Sequence, residues 1–224
     1  HFLGMILDST SMEVRLSQER INAIKTCVRQ FRRGQSVSSL CCQRLLGMMA
    51  SAAIALPLGM LRMRPFQIWY LSMRLNAVTD RPRRVVVSSR CRKALAIWRT
   101  PWFLAASGTM GIVSRRVVVT TDASTKGWGA VCEGRGVNGL WSVTEAASHI
   151  NVLELRTVVL ALQHFLPRLS GQHVLVRTDN TATLAYINRQ GGVRSPSLHH
   201  WATRLLLWAA RHVLSLRAVH IPGH

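Results

Sequence analysis

From Val117 onward the apolar and polar positions follow a readable succession of periods. Val117-Val118-Val119-Thr120-Thr121-Asp122 is a β-branched run that predicts a strand ending on an aspartate. The turn Ser124-Thr125-Lys126-Gly127 leads into a second strand, Trp128 to Glu133, and Gly134, Gly136 and Gly139 carry the chain into a third, Leu140 to Thr144. Apolar residues at spacing three and four, Leu155, Val158, Val159, Leu162 and Leu166, predict a helix over 152–166 that Pro167 and Gly171 end. His173 to Thr178 predicts a fourth strand, again followed by an aspartate, Asp179. A short helix, Thr181 to Arg189, is closed by Gly191-Gly192. A longer one, Pro196 to His212, precedes a fifth strand, Leu214 to Ile221. The order is β-β-β-α-β-α-α-β, with the first three strands an antiparallel meander.

Upstream the pattern predicts mostly helix. A short apolar strand, Phe2 to Leu7, a polar turn, Asp8 to Ser11, and a strand, Met12 to Leu16, come first. Ser17 then starts a helix whose Ile21, Ile24, Val28 and Phe31 share one face. Leu45 to Leu61 is a 17-residue run without a charge, the lower limit for a membrane span. Gly47, Pro57 and Gly59 interrupt it, so a buried helical hairpin is the expectation and no membrane partner is expected. Phe66, Trp69, Tyr70 and Met73 fit one further helical face.

Charge changes this picture. The chain carries 29 basic and 9 acidic residues, a formal net charge of +20, and only Lys25, Lys93 and Lys126 are lysines. Arginine forks bind phosphate in bidentate fashion and stack on bases, so the composition points to a nucleic-acid partner. The excess is +13 over residues 1–113 (17 basic minus 4 acidic) and +7 over 114–224 (12 minus 5). Arg81 to Arg99 holds seven basic residues and no acid beside Trp98 and Trp102. It reads either as a grip for a single strand or hybrid or as a solvated linker marked by Pro82, Pro101 and Gly108. A hydrophobic share of 48% argues against a disordered chain, and 224 residues hold one ordinary domain and a smaller one. The five cysteines form neither a CxxC pair nor a zinc spacing. Reduced thiols in an intracellular compartment, cytoplasmic or nuclear, are expected. His1-Phe2-Leu3-Gly4 has no signal-peptide character, and the chain reads as an internal piece of something longer.

Three of the nine acids sit at element ends: Asp122, Glu154 and Asp179. Each has a local explanation. Asp122 fits a turn, Glu154 fits a capping box three residues after Asn151, and Asp179 fits an N-cap for the helix at Thr181. Taken together they suggest something else. If the first and fourth strands are neighbours, both aspartates end close together, and Glu154 in the first turn of the adjoining helix points at the same spot. Clustered carboxylates repel and hold protons unless a cation is present. An oxygen-only cluster suits Mg²⁺, and two such ions can align a water on a phosphodiester. A basic protein with such a site is chemically a nuclease.

At these residues the sequence resembles a family. Thr121-Asp122-Ala123-Ser124, Glu154-Leu155, Thr178-Asp179-Asn180 and the ending Val219-His220-Ile221-Pro222-Gly223-His224 look like the type 1 ribonuclease H domain of retroelement reverse transcriptases, closest in wording to the DIRS-like retrotransposons. Phe2-Leu3-Gly4 followed by Asp8 looks like the end of a polymerase palm, the helix after it like a thumb, and Leu58 to Pro65 like the connecting segment. The resemblance implies an α/β, ribonuclease H-like mixed five-stranded sheet: three antiparallel strands, then parallel additions, with flanking helices, preceded by a mostly helical segment. It implies three parts: 1–35 as palm end and thumb-like helix, 36–113 as connection, 114–224 as the ribonuclease H-like domain. It implies Asp122, Glu154 and Asp179 as catalytic, metal-binding carboxylates for Mg²⁺ or Mn²⁺, two ions in all. It further implies an endoribonuclease that hydrolyses the RNA strand of RNA–DNA hybrids. Its partners would be hybrid or template–primer and the rest of the polyprotein. The family's fourth acid would lie past His224 and the polymerase aspartates before His1. An inactive nucleic-acid-binding remnant is the alternative. A DDE-type recombinase fits less well, because the order is Asp, Glu, Asp with the Glu in the first helix.

Overall fold

A computed structural model of the protein describes residues 4–222. The chain divides into two compact units, His1–Ile112 and Val113–His224, each with its own core.

In the first unit, β1 (Met5–Asp8) pairs antiparallel with β2 (Glu13–Leu16) across a turn in which the Asp8 carboxylate accepts the Thr10 and Ser11 N–H groups. Of the expected strand from Phe2 to Leu7, the described part is strand from Met5, and Phe2 and Leu3 lie outside the described residues. Ser17 caps α1 (Gln18–Arg29) by accepting the Arg20 N–H, and the helix buries Ile21, Ile24 and Val28. A short β3 (Ser36–Ser38) leads into α2 (Ser39–Ala52) and α3 (Gly59–Leu71). The charge-free stretch is therefore a helical hairpin. Among the described residues no helix is long and apolar enough to cross a membrane. Phe31 meets Phe66 edge-on, and Phe66 stacks on Trp69. Each such buried side chain contributes about 2 kcal/mol.

The basic stretch folds against this core: β4 (Arg84–Val86) pairs with β3, and α4 (Ser89–Ala94), a 3-10 turn Ile97–Arg99 and α5 (Pro101–Leu104) follow. Trp98 is not a stacking platform. It is fully buried, its indole N–H donating to the Arg62 carbonyl, while Trp102 is exposed. Arg99 donates to the carbonyls of Val28 and Phe31 at the end of α1, and Arg84 donates to the Ser36 hydroxyl and carbonyl across β3 and β4, so two of the seven cations have structural tasks. β5 (Ser107–Thr109) completes a three-stranded sheet on β2.

The second unit is a mixed α/β fold. Its strands are β6 (Val117–Ala123), β7 (Gly127–Cys132), β8 (Arg135–Leu140), β9 (His173–Thr178) and β10 (Ser215–His220), in the spatial order β10-β9-β6-β7-β8. β6, β7 and β8 form the antiparallel meander, and β9 and β10 add in parallel. The third strand lies earlier than its expected span of Leu140 to Thr144. Glu133 (φ 49°) and Gly134 (φ 75°) both take left-handed conformations between Cys132 and Arg135, which are paired in register. Two successive positive φ values make a tight hairpin, so the chain reverses at once. After β8, Ser142 and Glu145 close a capping box around α6 (Val143–Ala146), a one-turn helix where strand was expected.

Helix α7 (Ile150–His164) packs on β6 and β7, α8 (Leu166–Leu169) turns the chain, α9 (Thr181–Asn188) follows β9, and α10 (Pro196–His212) packs on α7. Pro167 does not stop a helix so much as begin α8, where its missing N–H is harmless. Val119, Val158, Leu162, Val174, Val176 and Leu205 lie between helices and sheet.

Two glycines in the hairpin of the first unit test the packing. A Cβ on Gly59 would lie 2.5 Å from the Ala53 Cα, whereas one on Gly47, in the middle of α2, meets nothing within 4 Å. Gly59→Ala is expected to lower unfolding free energy by about 1–3 kcal/mol through the forced backbone shift. Gly47→Ala is expected to raise it by about 0.5–1 kcal/mol by removing unfolded-state freedom. Chemical denaturation of the two variants checks both signs.

Candidate metal centre

The parallel pairing of β6 with β9 sets the site. Thr120 is in register with Arg177. Two residues further along each strand come Asp122 and Asp179, at the same end of the sheet. α7 packs against β6 so that its fifth residue, Glu154, faces that end. One carboxylate oxygen from each of Asp122, Glu154 and Asp179 lies within 4.8 Å of the others. The structure therefore brings together all three acids singled out in the sequence.

Their local explanations fail for two of the three. His149, not Asn151, caps α7: its Nδ1 accepts the Asn151 N–H, and Glu154 lies beyond the first turn. Asn180, not Asp179, caps α9 by accepting the Thr183 N–H. The capping box of this unit is at Ser142 and Glu145 instead. Neither Glu154 nor Asp179 is used by a helix end.

Glu154 is the unusual member. It is 3% exposed, and its Oε1 accepts the Ala123 N–H at 3.2 Å. Its Oε2 is buried with no hydrogen-bond partner among the described residues. Burial pushes the carboxyl up to about 7, opposed by the Ala123 N–H and reinforced by Asp122 and Asp179. Asp122 is exposed. A buried carboxylate oxygen lacking a donor, beside two more carboxylates, matches the needs of a hard divalent cation, whose ligands are oxygens.

Sequence reading missed the groups that hold these carboxylates in place. The Asn180 side-chain N–H donates to the Asn151 amide oxygen at 2.8 Å and so ties the turn after Asp179 to the start of α7. The Trp141 indole N–H donates to the Ser124 carbonyl at 2.9 Å, two residues past Asp122. Beside Asp122 an open cleft of about 460 Å³ is lined by Ser124, Lys126, Trp128, Asn138 and Leu140. Gly139 is required there, because a Cβ would lie 2.7 Å from the Trp128 indole nitrogen. The run of glycines in β8 was the available signal: side chains are absent where Trp128 crosses the strand.

Residues 113–207 match the family model of the RNase H-like domain found in reverse transcriptase. With the strand order above, this gives the second unit the ribonuclease H-like fold. Solved structures similar to the chain include LC11-RNase H1 in complex with RNA/DNA hybrid, at 20% identity and a TM-score of 0.41, covering 48% of this chain and 86% of that one. RNase H1 from the halophilic archaeon Halobacterium salinarum gives 16% identity and a TM-score of 0.40 over 48% of this chain and 86% of its own. A foamy viral protease-reverse transcriptase in complex with double-stranded DNA gives 15% identity and a TM-score of 0.39, covering all of this chain and 38% of that one. No curated protein matches the chain.

The raised carboxyl makes stability depend on pH. Folded Glu154 holds its proton up to about 7, against 4.5 ordinarily, so folding is favoured while the group is protonated in both states and is penalised as pH rises from 4.5 through 7. In metal-free buffer the loss across that window is expected to be about 3 kcal/mol. Glu154→Gln keeps an oxygen for the Ala123 N–H and should flatten the curve. Urea midpoints at pH 5 and pH 8 measure the difference.

Proposed function

We propose that the second unit is an endoribonuclease that hydrolyses the RNA strand of RNA–DNA hybrids, as part of a DIRS-like retroelement reverse transcriptase. The observation that carries this reading is the convergence of Asp122, Glu154 and Asp179 within 4.8 Å of one another, with the buried Glu154 Oε2 lacking a hydrogen-bond partner among the described residues. The match of residues 113–207 to the reverse-transcriptase RNase H-like domain supports it, as does the net charge of +20. On the same reading, residues 1–35 are the end of a palm with a thumb-like helix and 36–113 a connection. The partners are hybrid or template–primer and the remainder of the polyprotein, inside the cell.

The three carboxylates would hold Mg²⁺ or Mn²⁺, in a pair of ions. Bound there, such ions supply Lewis acidity toward the phosphodiester and a water ionised near neutral pH. The residues do the positioning. Glu154 is fixed by the Ala123 N–H and the α7 core, and one of its oxygens lies within 4.8 Å of an oxygen of each aspartate, so it meets a cation without reorganisation. Asp122 and Asp179, on neighbouring strand ends, flank it. The exposed side of Asp122 opens on the cleft floored by Trp128, where a strand of nucleic acid can lie. Exposed arginines and lysines contribute phosphate contacts that weaken with salt.

The test is cleavage of a labelled RNA–DNA hybrid, run on residues 1–224 and on a chain extended past His224 to include the fourth acid that the resemblance implies. RNA should be cut in Mg²⁺ or Mn²⁺ and not in EDTA. Asp122→Asn should abolish cutting, and Glu154→Gln and Asp179→Asn should each lower it by orders of magnitude, because the amide keeps shape and loses charge. All three should fold as well as the parent or better, since each relieves repulsion. Wild-type rates in any of them, or cutting in EDTA, would place the activity at a different site, and no cutting by either chain would leave an inactive nucleic-acid-binding remnant as the better account.

A further inference from the structure

Arg156 lies two residues past Glu154 on α7, so the helical period turns it away from the carboxylates. Its guanidinium carbon is 5.3 Å from the ring centre of Trp141 and 4.7 Å from that of Trp201 on α10. Nη2 donates to Glu145, whose other oxygen accepts the Ser142 N–H and hydroxyl of the α6 capping box. Its Nε is buried with no hydrogen-bond partner among the described residues. Trp141, pressed under this guanidinium, makes two bonds to one turn. Its indole N–H donates to the Ser124 carbonyl at 2.9 Å and its backbone N–H to the Lys126 carbonyl at 3.0 Å. That turn follows Asp122 directly.

We infer that Arg156 is a positioning residue for the carboxylate cluster: in contact with both the Trp141 and Trp201 rings, it pins the indole that holds the Ser124–Gly127 turn and thereby the end of β6 that carries Asp122. This deepens the reading of the carboxylates as a metal site and rests on it. α7 then fixes the cluster from both of its faces. Glu154 takes the Ala123 N–H from below, and Arg156, through Trp141, takes the Ser124 carbonyl one residue on. A lysine at this position keeps the charge but loses the planar fork that contacts both rings. Ion pairing with Glu145 alone does not account for the arrangement, because one nitrogen would suffice for it.

The test measures Mn²⁺ binding to the full chain by calorimetry, amide exchange over residues 124–127, and unfolding midpoints. It compares Arg156→Lys, Trp141→Phe and the double variant. Trp141→Phe keeps a ring under the guanidinium and removes the N–H. Each single variant should bind Mn²⁺ at least about tenfold more weakly, the size of effect that outer-shell partners have on metal affinity. Exchange in the turn should quicken, with midpoints little changed. The double variant should be no worse than the weaker single one, since both act through one contact. Wild-type Mn²⁺ affinity in Arg156→Lys, additive losses in the double variant, or a loss that tracks the unfolded fraction would overturn the positioning role while leaving the metal site standing. A parent protein that binds no Mn²⁺ would instead remove the metal site and this inference together.

Discussion

The register between β6 and β9 is the constraint on which the second unit depends. Pairing Thr120 with Arg177 sends both strands off the sheet at the same level, each with an aspartate two residues on. α7 then delivers Glu154 from the covered side. Carboxylates less than 5 Å apart repel by roughly 3 kcal/mol per pair at an effective dielectric near 20. That mutual repulsion opposes folding. The cluster persists because Val119, Val174, Val176 and the α7 face around it are fully packed, so the strand ends have no freedom to part. Burial is the main cause of the raised Glu154 carboxyl, and the neighbouring Asp122 and Asp179 add to it.

Placing three anions at a fixed point requires support from outside the cluster, and the contacts supply it from three directions. Ala123 reaches Glu154 through its N–H, Asn180 reaches Asn151 across the gap between β9 and α7, and Trp141 reaches Ser124. Each joins a residue one to three positions from an acid to a different element. Mobility at any of the three acids would need one of these cross-element bonds to open.

The basic residues divide by duty. Arg99 serves the end of α1 and Arg156 the aromatic stack. Arg81, Arg83, Arg90, Arg92 and Lys93 remain exposed on the first unit. Trp98, beside them in sequence, is in the core, so the interleaving of basic and aromatic residues there reflects two sides of a folded segment. A sequence pattern cannot separate those sides where helices are only one turn long.

Periodicity determined the long elements. β-branched runs gave β6 and β9, and spacing of three and four gave α1 and α7, because those patterns are set by the backbone period and read one chain segment at a time. The two aspartates were legible for the same reason, each closing a strand, and Glu154 by its place near the start of α7. The hairpin at Glu133-Gly134 was not, since which residues take positive φ depends on the strand they must pair with, and β8 was placed too late. The true helix caps, His149 and Asn180, also escaped, because cap geometry is decided by where packing starts the helix and not by residue type alone. Most of all, the sequence on its own determined that two aspartates end two strands and that a glutamate lies near the start of the helix between them. Only the tertiary structure decided that a parallel register brings them to one point, that Glu154 arrives there buried with a spare oxygen, and that Arg156 and Trp141 hold the strand end in place. Those facts rest on contacts between residues 15 to 60 positions apart, which no local period encodes.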